Sequence, residues 1–473
     1  MIASSTIIAS SMIPVQEPVR YAWLLHSKRH PTFHRPLTST SRKARTPWLE
    51  TTMANLSKRS IMRSVGLGLI TGAADDDCSA IGTYAQAGAQ LGYAALWTAP
   101  VTLPMMVAVV YLSGKLGLVT GQGLFSVLRN QAPRALVYLI LIGVLIGNII
   151  EAGADIGGMA AGLGLLIHLP GWTLVMSISA LALVFQIWGT YSFIRNVLRV
   201  LALSLLAYVG SALLAHPSLP QVVRGTFVPS IHFDRDTLAI LVAIIGTSLS
   251  AYLYTWQSNE EVEEKVEAGK TTAVTRRGAT TAELRSSLWD VLFGMLFSNA
   301  VMYFIILSTA ATLFIRGHHQ IASATEAAEA LRPLAGKAAS LLFALGFVVV
   351  GFLAVPVMTT GAAYDLCQIM GWKNGLSYKP RQAKKFYGAI ALFTLVAMAI
   401  NFAGINPMRA LVFAGIVQGF STPPLMLLIM ILTNRPAIMG DRVNGPVVNA
   451  LGWVTTAVIF SASIALVISL FKH

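Results

Sequence analysis

A chain of 473 residues with 55% hydrophobic and 11% charged residues, at a mean hydropathy of +0.67, departs from the quarter-charged composition of soluble domains and belongs to the polytopic membrane class. Its net charge of +14 comes from 34 Lys and Arg against 20 Asp and Glu; because the basic residues gather in the N-terminal tail and in loops, membrane topology accounts for them and nucleic-acid binding is excluded. Cys78 and Cys367 are the only cysteines, both in or beside apolar spans, which excludes a disulfide framework and a Cys-rich metal site.

Residues 1–57 are basic, rich in Ser, Thr and Pro, and without sustained apolar periodicity, so they read as a disordered tail. Their composition suits a transit peptide; the plainer reading starts the protein at Met53, whose Met-Ala-Asn-Leu-Ser-Lys-Arg run is a short basic N-terminus before the first span. The membrane domain is expected over 58–473. At roughly 20 residues per crossing, spans fall near 61–92, 95–114, 134–166, 172–191, 196–215, 237–257, 287–315, 338–366, 386–404, 408–433 and 449–470, about eleven in all. With the N-terminus cytoplasmic, the basic loops lie inside, as the positive-inside rule requires.

The first span contains Thr71-Gly-Ala-Ala-Asp-Asp-Asp-Cys-Ser-Ala-Ile-Gly-Thr83. An ionised Asp at the bilayer centre costs roughly 2.5–3.5 kcal/mol on insertion scales, so Asp75, Asp76 and Asp77 must face a cavity, a partner or a cation. Gly72 and Gly82 permit the helix to unwind there. Unwinding exposes backbone carbonyls beside carboxylates, a ligand set for hard cations.

Glu151 and Asp155 stand one turn apart on the third span and share a face, suiting a proton or ion path or a buried pair that ties helices together. The sixth span turns polar at Gly246-Thr-Ser-Leu-Ser-Ala-Tyr-Leu-Tyr-Thr-Trp-Gln257. Two interrupted spans five apart point to a secondary transporter built from an inverted repeat with its site at midplane. Gln257 and Gln418 are candidates for lining the path, against the plainer role of amides as interhelical glue. The run Glu260-Glu-Val-Glu-Glu-Lys-Val-Glu-Ala-Gly-Lys270 reads as a solvated helical face or as an acidic inner mouth. Ala322–Gly336 is expected to form a short surface helix, Asp365 to sit at the interface, and Trp97, Trp172, Trp372 and Tyr387 to anchor span ends. The adjacent His318 and His319 are weak evidence for metal.

These residues carry a resemblance to the Nramp family of proton-coupled divalent metal transporters. Asp77-Cys-Ser-Ala80 stands where that family has Asp-Pro-Gly-Asn; Gln86-Ala-Gly-Ala-Gln-Leu-Gly-Tyr93 matches the run that follows; and Ala154-Asp-Ile-Gly-Gly-Met-Ala-Ala-Gly-Leu163 is similar to a third-span stretch with an acid. The resemblance covers about 60–470. It implies an all-α membrane protein with a LeuT-like inverted five-plus-five helix repeat and an eleventh helix. It also implies a metal held by Asp77, the backbone carbonyls of Ala74 and Thr247, and Ser250, with Asp155 in proton movement. Asp75 and Asp76 are additional to the signature; they would widen a vestibule, share protons with Asp77 or cap the broken helix.

Three departures bear on cargo. The family Asn is Ala80 here, its sixth-span Met is Ser250, and its His is Tyr252. A thioether favours transition metals, whereas carboxylate, carbonyl, hydroxyl and water suit Mg²⁺, Ca²⁺ or Mn²⁺. The family resemblance places Mn²⁺ or Fe²⁺ first, with proton coupling; the ligand chemistry leans to Mg²⁺ with weak or no coupling. The metal is cargo, and no cofactor is expected. Partners are the divalent ion, protons and the lipid bilayer, in a bacterial cell membrane. No ATPase loop, His-Glu-x-x-His pair or nucleophile elbow appears. An aspartyl intramembrane enzyme using Asp77 and Asp155 is the formal alternative from another class, and the adjacent broken-helix signature argues against it.

Overall fold

The computed structural model describes residues 71–188 apart from 73, and residues 206–471 apart from 232, 333–335, 337 and 338. The expected tail over 1–57, the start of the first span and residues 196–205 of the fifth lie outside the described residues. Within them the longer helices are α1 (Cys78–Leu91), α2 (Thr98–Thr120), α3 (Leu124–Gln131), α4 (Arg134–Gly164), α5 (Gly171–Trp188), α6 (Leu206–Leu214), α7 (Leu219–Phe227), α8 (Arg235–Ser248), α9 (Ala251–Glu267), α10 (Thr281–Thr312), α11 (Ala339–Met370), α12 (Lys384–Ile400), α13 (Pro407–Thr433) and α14 (Pro446–Phe471). Counting α8 and α9 as one interrupted span, nine segments among the described residues are long and apolar enough to cross a membrane. No strand occurs among them. Inside hydrocarbon only intrahelical bonding satisfies every backbone group of a single segment, which is why these apolar runs are helical.

Local chemistry sets the helix ends. Asp234 accepts from Thr237 N at 2.9 Å to cap α8, and that bond holds its exposed carboxyl below the ordinary carboxylate range. Thr280 and Glu283 form a reciprocal capping box on α10, with Glu283 Oε2 accepting from Thr280 N at 2.7 Å. Gly121 closes α2 at φ 66°, a left-handed conformation that a side chain resists.

The interrupted α8–α9 span and α2 are the most deeply buried, α10, α11 and α13 follow, and α5 and α14 are the least buried. Leu139, Ile142 and Ile146 of α4, and Val447 and Val454 of α14, are exposed and apolar, the surface a bilayer covers. Close approach in the centre depends on small residues. A Cβ at Gly246 on α8 would strike the backbone of Gly415 and Gly419 on α13, and one at Gly117 on α2 would strike Ser258 on α9.

The charged run after Gln257 differs from the solvated face expected of it. It continues α9 to Glu267, and Glu260, Glu261, Glu263 and Lys265 are buried. Each of three is met by polar groups. Glu261 accepts from Ser287 Oγ at 2.6 Å, and Glu263 from Tyr364 OH at 2.7 Å and Leu376 N at 3.1 Å. Lys265 donates to the carbonyls of Leu118, of Arg276 at 2.8 Å and of Gly278 at 2.7 Å, binding the end of α9 to the end of α2. Lys265→Met keeps the stem and removes these bonds; it should lower stability by about 2 kcal/mol, visible as a lower thermal midpoint of the purified protein.

Asp365 is likewise fully buried and not interfacial, on a helix that continues beyond it to Met370. Tyr387 is also buried and donates to the Tyr378 carbonyl at 2.8 Å, so it anchors a loop. Trp172 is 59% exposed, as expected of a membrane anchor, and Lys385 Nζ lies 4.4 Å from the centre of the Trp372 ring. The helix expected within Ala322–Gly336 spans Ala324–Glu329 and buries Ala324, Ala327 and Ala328. His319 packs its ring on Phe314 at 5.1 Å, a structural role.

Candidate metal site

Both interrupted segments break where the polar residues sit. The first is helical up to Asp75, opens at Asp76 and Asp77, and resumes as α1 with Asp77 as its N-cap. The second ends α8 at Ser248, passes through Leu249 and Ser250, and resumes as α9. Glycine alone does not cause the breaks. Asp77 Oδ1 accepts from Ala80 N at 2.6 Å, and a side chain that bonds its own backbone competes with helix at that point. The Ser250 hydroxyl likewise contacts the carbonyls of Gly246 at 2.9 Å and Thr247 at 3.0 Å.

Tyr252 joins the two breaks. Its hydroxyl stands 2.8 Å from the Ala74 carbonyl and 3.1 Å from Asp77 Oδ2. Ser79 then ties Asp77 to α4: its Oγ lies 2.8 Å from Asp77 Oδ1 and 3.0 Å from Glu151 Oε1, and its N–H donates to Asp155 Oδ1 at 3.0 Å. Glu151 Oε1 is 3.3 Å from Ser250 Oγ, and its Oε2 accepts from Gln418 Nε2 on α13 at 2.6 Å. The structure therefore brings Asp77, Ala74, Thr247, Ser250, Tyr252, Glu151, Asp155 and Gln418 into one fully buried polar cluster.

Three of the expected residues stand apart from it. Asp75 and Asp76 turn to α10, where both meet Ser298 Oγ. Gln257 lies further along α9, accepting from Thr71 Oγ1 at 2.8 Å and donating to Glu261 at 3.1 Å. Two hydrogen bonds thus cross between the interrupted segments on opposite sides of the breaks: Thr71 with Gln257, and Tyr84 OH with Ser248 Oγ at 2.8 Å.

Sequence pattern did not single out Ser79, Ser298 or Asn148, which contacts Gln418 at 3.2 Å. Ser79 carried a signal, since it directly follows the acidic triplet in the broken segment. Ser298 and Asn148 carried none, because an isolated small polar residue in an apolar span is common.

Among the described residues no group of three or more His, Cys, Asp and Glu is arranged to hold a metal. A cation at Asp77 would complete its shell from the Ala74 and Thr247 carbonyls, hydroxyls and water. No sulfur or imidazole belongs to the cluster: the Cys78 thiol turns away to the Phe347 carbonyl at 3.3 Å. Cys367 is a free, buried thiol.

The model of the family described as "Natural resistance-associated macrophage protein-like" matches residues 68–469. The divalent metal cation transporter MntH of Klebsiella pneumoniae (strain 342) is 24% identical over 382 residues, covering 80% of this chain and 87% of that protein. Among solved structures, the Eremococcus coleocola manganese transporter in complex with an aromatic bis-isothiourea substituted compound aligns at TM-score 0.65 and 17% identity, over 91% of this chain and 89% of that one. A mutant of the same transporter aligns at TM-score 0.63 and 16% identity, covering 87% and 86%. The architecture expected from the sequence, all-α and LeuT-like, is the observed one, and an enzyme is set aside because these relatives are transporters. With the family model spanning most of the membrane domain and the fold matching throughout, the chain belongs to the Nramp family.

Proposed function

We propose that the protein is an alternating-access transporter of hard divalent cations, with Mg²⁺ its preferred cargo. The observation that carries this reading is the all-oxygen donor set at Asp77: one carboxylate, the hydroxyls of Ser250 and Tyr252, and the carbonyls of Ala74 and Thr247. Mg²⁺ dehydrates reluctantly and keeps several waters beside one or two carboxylates, a habit that a single carboxylate among neutral oxygens able to hold those waters accommodates. In this reading Glu151 and Gln418, bonded to each other beside Ser250, hold water around the ion, and the crossed hydrogen bonds open alternately. Asp77 carries the charge that draws the ion to midplane, and the ion in turn relieves the cost of burying it. The N-terminus lies on the cytoplasmic side and the protein in a cell membrane, as the distribution of basic loops supports.

Uptake into proteoliposomes tests it. Excess Mg²⁺ should suppress Mn²⁺ uptake, and Mg²⁺ itself should accumulate; Mn²⁺ uptake untouched by a hundredfold excess of Mg²⁺ refutes the cargo. Ser250→Met supplies the thioether that the site lacks. We expect it to weaken Mg²⁺ competition against Mn²⁺ about tenfold, since soft ligands discriminate in that direction.

A second reading, proton-coupled Mn²⁺ or Fe²⁺ transport, is favoured by one feature. Glu151 and Asp155 each lie a single hydrogen bond from Ser79, which touches Asp77, so carboxylates able to take protons adjoin the cargo position. The E. coleocola relative is named a manganese transporter and the K. pneumoniae one a divalent metal cation transporter, which agrees with this reading. Acidification of the vesicle lumen during Mn²⁺ uptake, read by an enclosed pH dye, would select it.

A further inference from the structure

Asp75 and Asp76 are unused by the site at Asp77, and their surroundings are unusual. Both are fully buried at membrane depth, and neither forms an ion pair with a described Lys, Arg or His. Each sends one oxygen to the same atom: Ser298 Oγ lies 2.6 Å from Asp75 Oδ2 and 3.2 Å from Asp76 Oδ1. A hydroxyl has one proton, so it satisfies one of these carboxylates and leaves the other facing an oxygen lone pair. The remaining oxygens, Asp75 Oδ1 and Asp76 Oδ2, are buried without a hydrogen-bond partner among the described residues. Two adjacent carboxylates in a dry interior with one shared donor are relieved either by taking up protons or by a cation between them, and their orphaned oxygens leave room for the cation.

An octahedral divalent ion is compatible with the spacing, which is also that of ordinary hydrogen bonds. In an octahedral shell with bonds of about 2.0–2.1 Å, neighbouring oxygens stand about 2.9–3.0 Å apart. The separations of 2.6 and 3.2 Å about Ser298 Oγ bracket that edge. The position of Ser298 is fixed by backbone packing. Gly72 lies against Gly294, where a Cβ would fall on the Gly294 carbonyl, and Ser298 is one turn further along the same face of α10.

We propose that Asp75, Asp76 and Ser298 form a second divalent-cation position beside the one at Asp77, on the opposite side of the broken segment. Two carboxylates and a hydroxyl supply three oxygens of the shell, and waters complete it. Two carboxylates balance a divalent ion fully and a monovalent one with excess charge, so the occupant is of the cargo class. The proposal takes the size and charge of the ion from the transport reading above, and its test is separable from that reading.

The test counts ions. Purified full-length protein in nanodiscs is titrated with Mn²⁺, whose free-ion EPR signal measures what remains unbound. Wild type should bind two Mn²⁺ per chain, Asp75→Asn/Asp76→Asn one, and Asp77→Ala one. Ser298→Ala keeps both charges and should fold; it should retain two ions but weaken one of them about tenfold. A single Mn²⁺ in wild type that disappears in Asp77→Ala overturns the second position and leaves the transport site standing. Two ions in Asp75→Asn/Asp76→Asn, or two of unaltered affinity in Ser298→Ala, also overturn it. A single ion lost in Asp75→Asn/Asp76→Asn but kept in Asp77→Ala would overturn the assignment at Asp77 instead.

Discussion

Asp77→Ala should lower divalent-cation uptake at least a hundredfold while the purified variant elutes and unfolds nearly as wild type does. Asp77 carries two burdens, and they separate by size. As N-cap of α1 it bonds the Ala80 amide at 2.6 Å, and losing a cap costs about 1 kcal/mol, which a bundle of this size absorbs. As the carboxylate at the meeting point of both breaks it supplies the charge that a desolvating divalent ion needs, and no neutral neighbour replaces that. Asp77→Asn sharpens the distinction because Asn caps a helix as well as Asp does. Measured in the same vesicles, Asp77→Asn should be as inactive as Asp77→Ala yet more stable. Uptake by the Asn variant within a few-fold of wild type would mean that the residue serves the helix and not the ion.

Gly246→Val should prevent accumulation of folded protein. Its Cβ would occupy the space of the Gly415 carbonyl and the Gly419 amide, both backbone atoms of α13 that no rotamer change can move. Overpacking in a yielding core costs about 1–3 kcal/mol, and a collision with backbone lies at or beyond the upper end. The damage also reaches the site, since Gln418 sits between those two glycines and donates to Glu151. Fluorescence-detected size exclusion of solubilised membranes reads the outcome: a monodisperse peak at wild-type level would show that α13 can shift aside. Gly143 on the exterior of α4 is the control, because a Cβ there meets nothing within 4 Å and Gly143→Val should fold.

Much of this was legible in the sequence because membrane insertion makes composition speak. Leaving aside the fifth, which lies partly outside the described residues, apolar length alone located the spans from 95–114 to 449–470 within a few residues of their helices, apart from the extended ends at Thr120, Glu267, Thr281 and Met370. Those ends escape hydropathy because charged residues ordinarily mark water. Glu261, Glu263 and Lys265 are instead bonded within the protein, and hydropathy does not encode the partners Ser287, Tyr364 and the Leu118 carbonyl. At the site, acids at membrane depth stood out through their cost, so Asp77, Glu151 and Asp155 were named before their convergence was visible. How they converge was not legible. It depends on Ser79 and Tyr252, whose neutral side chains carry no energetic alarm, and on which way each Asp of the triplet faces, which one residue of backbone rotation decides.

The pair of crossed hydrogen bonds, Thr71 to Gln257 and Tyr84 to Ser248, bears on the direction of flow. Each joins neutral groups, and a neutral bond contributes about 1 kcal/mol net. These two bonds therefore contribute nearly the same to parting the bundle on either side. Under the alternating access proposed above, a carrier not coupled to a second gradient equilibrates its cargo, running forward or backward as that cargo's gradient dictates. Vesicles preloaded with Mg²⁺ should then release it into Mg²⁺-free medium as readily as empty ones fill.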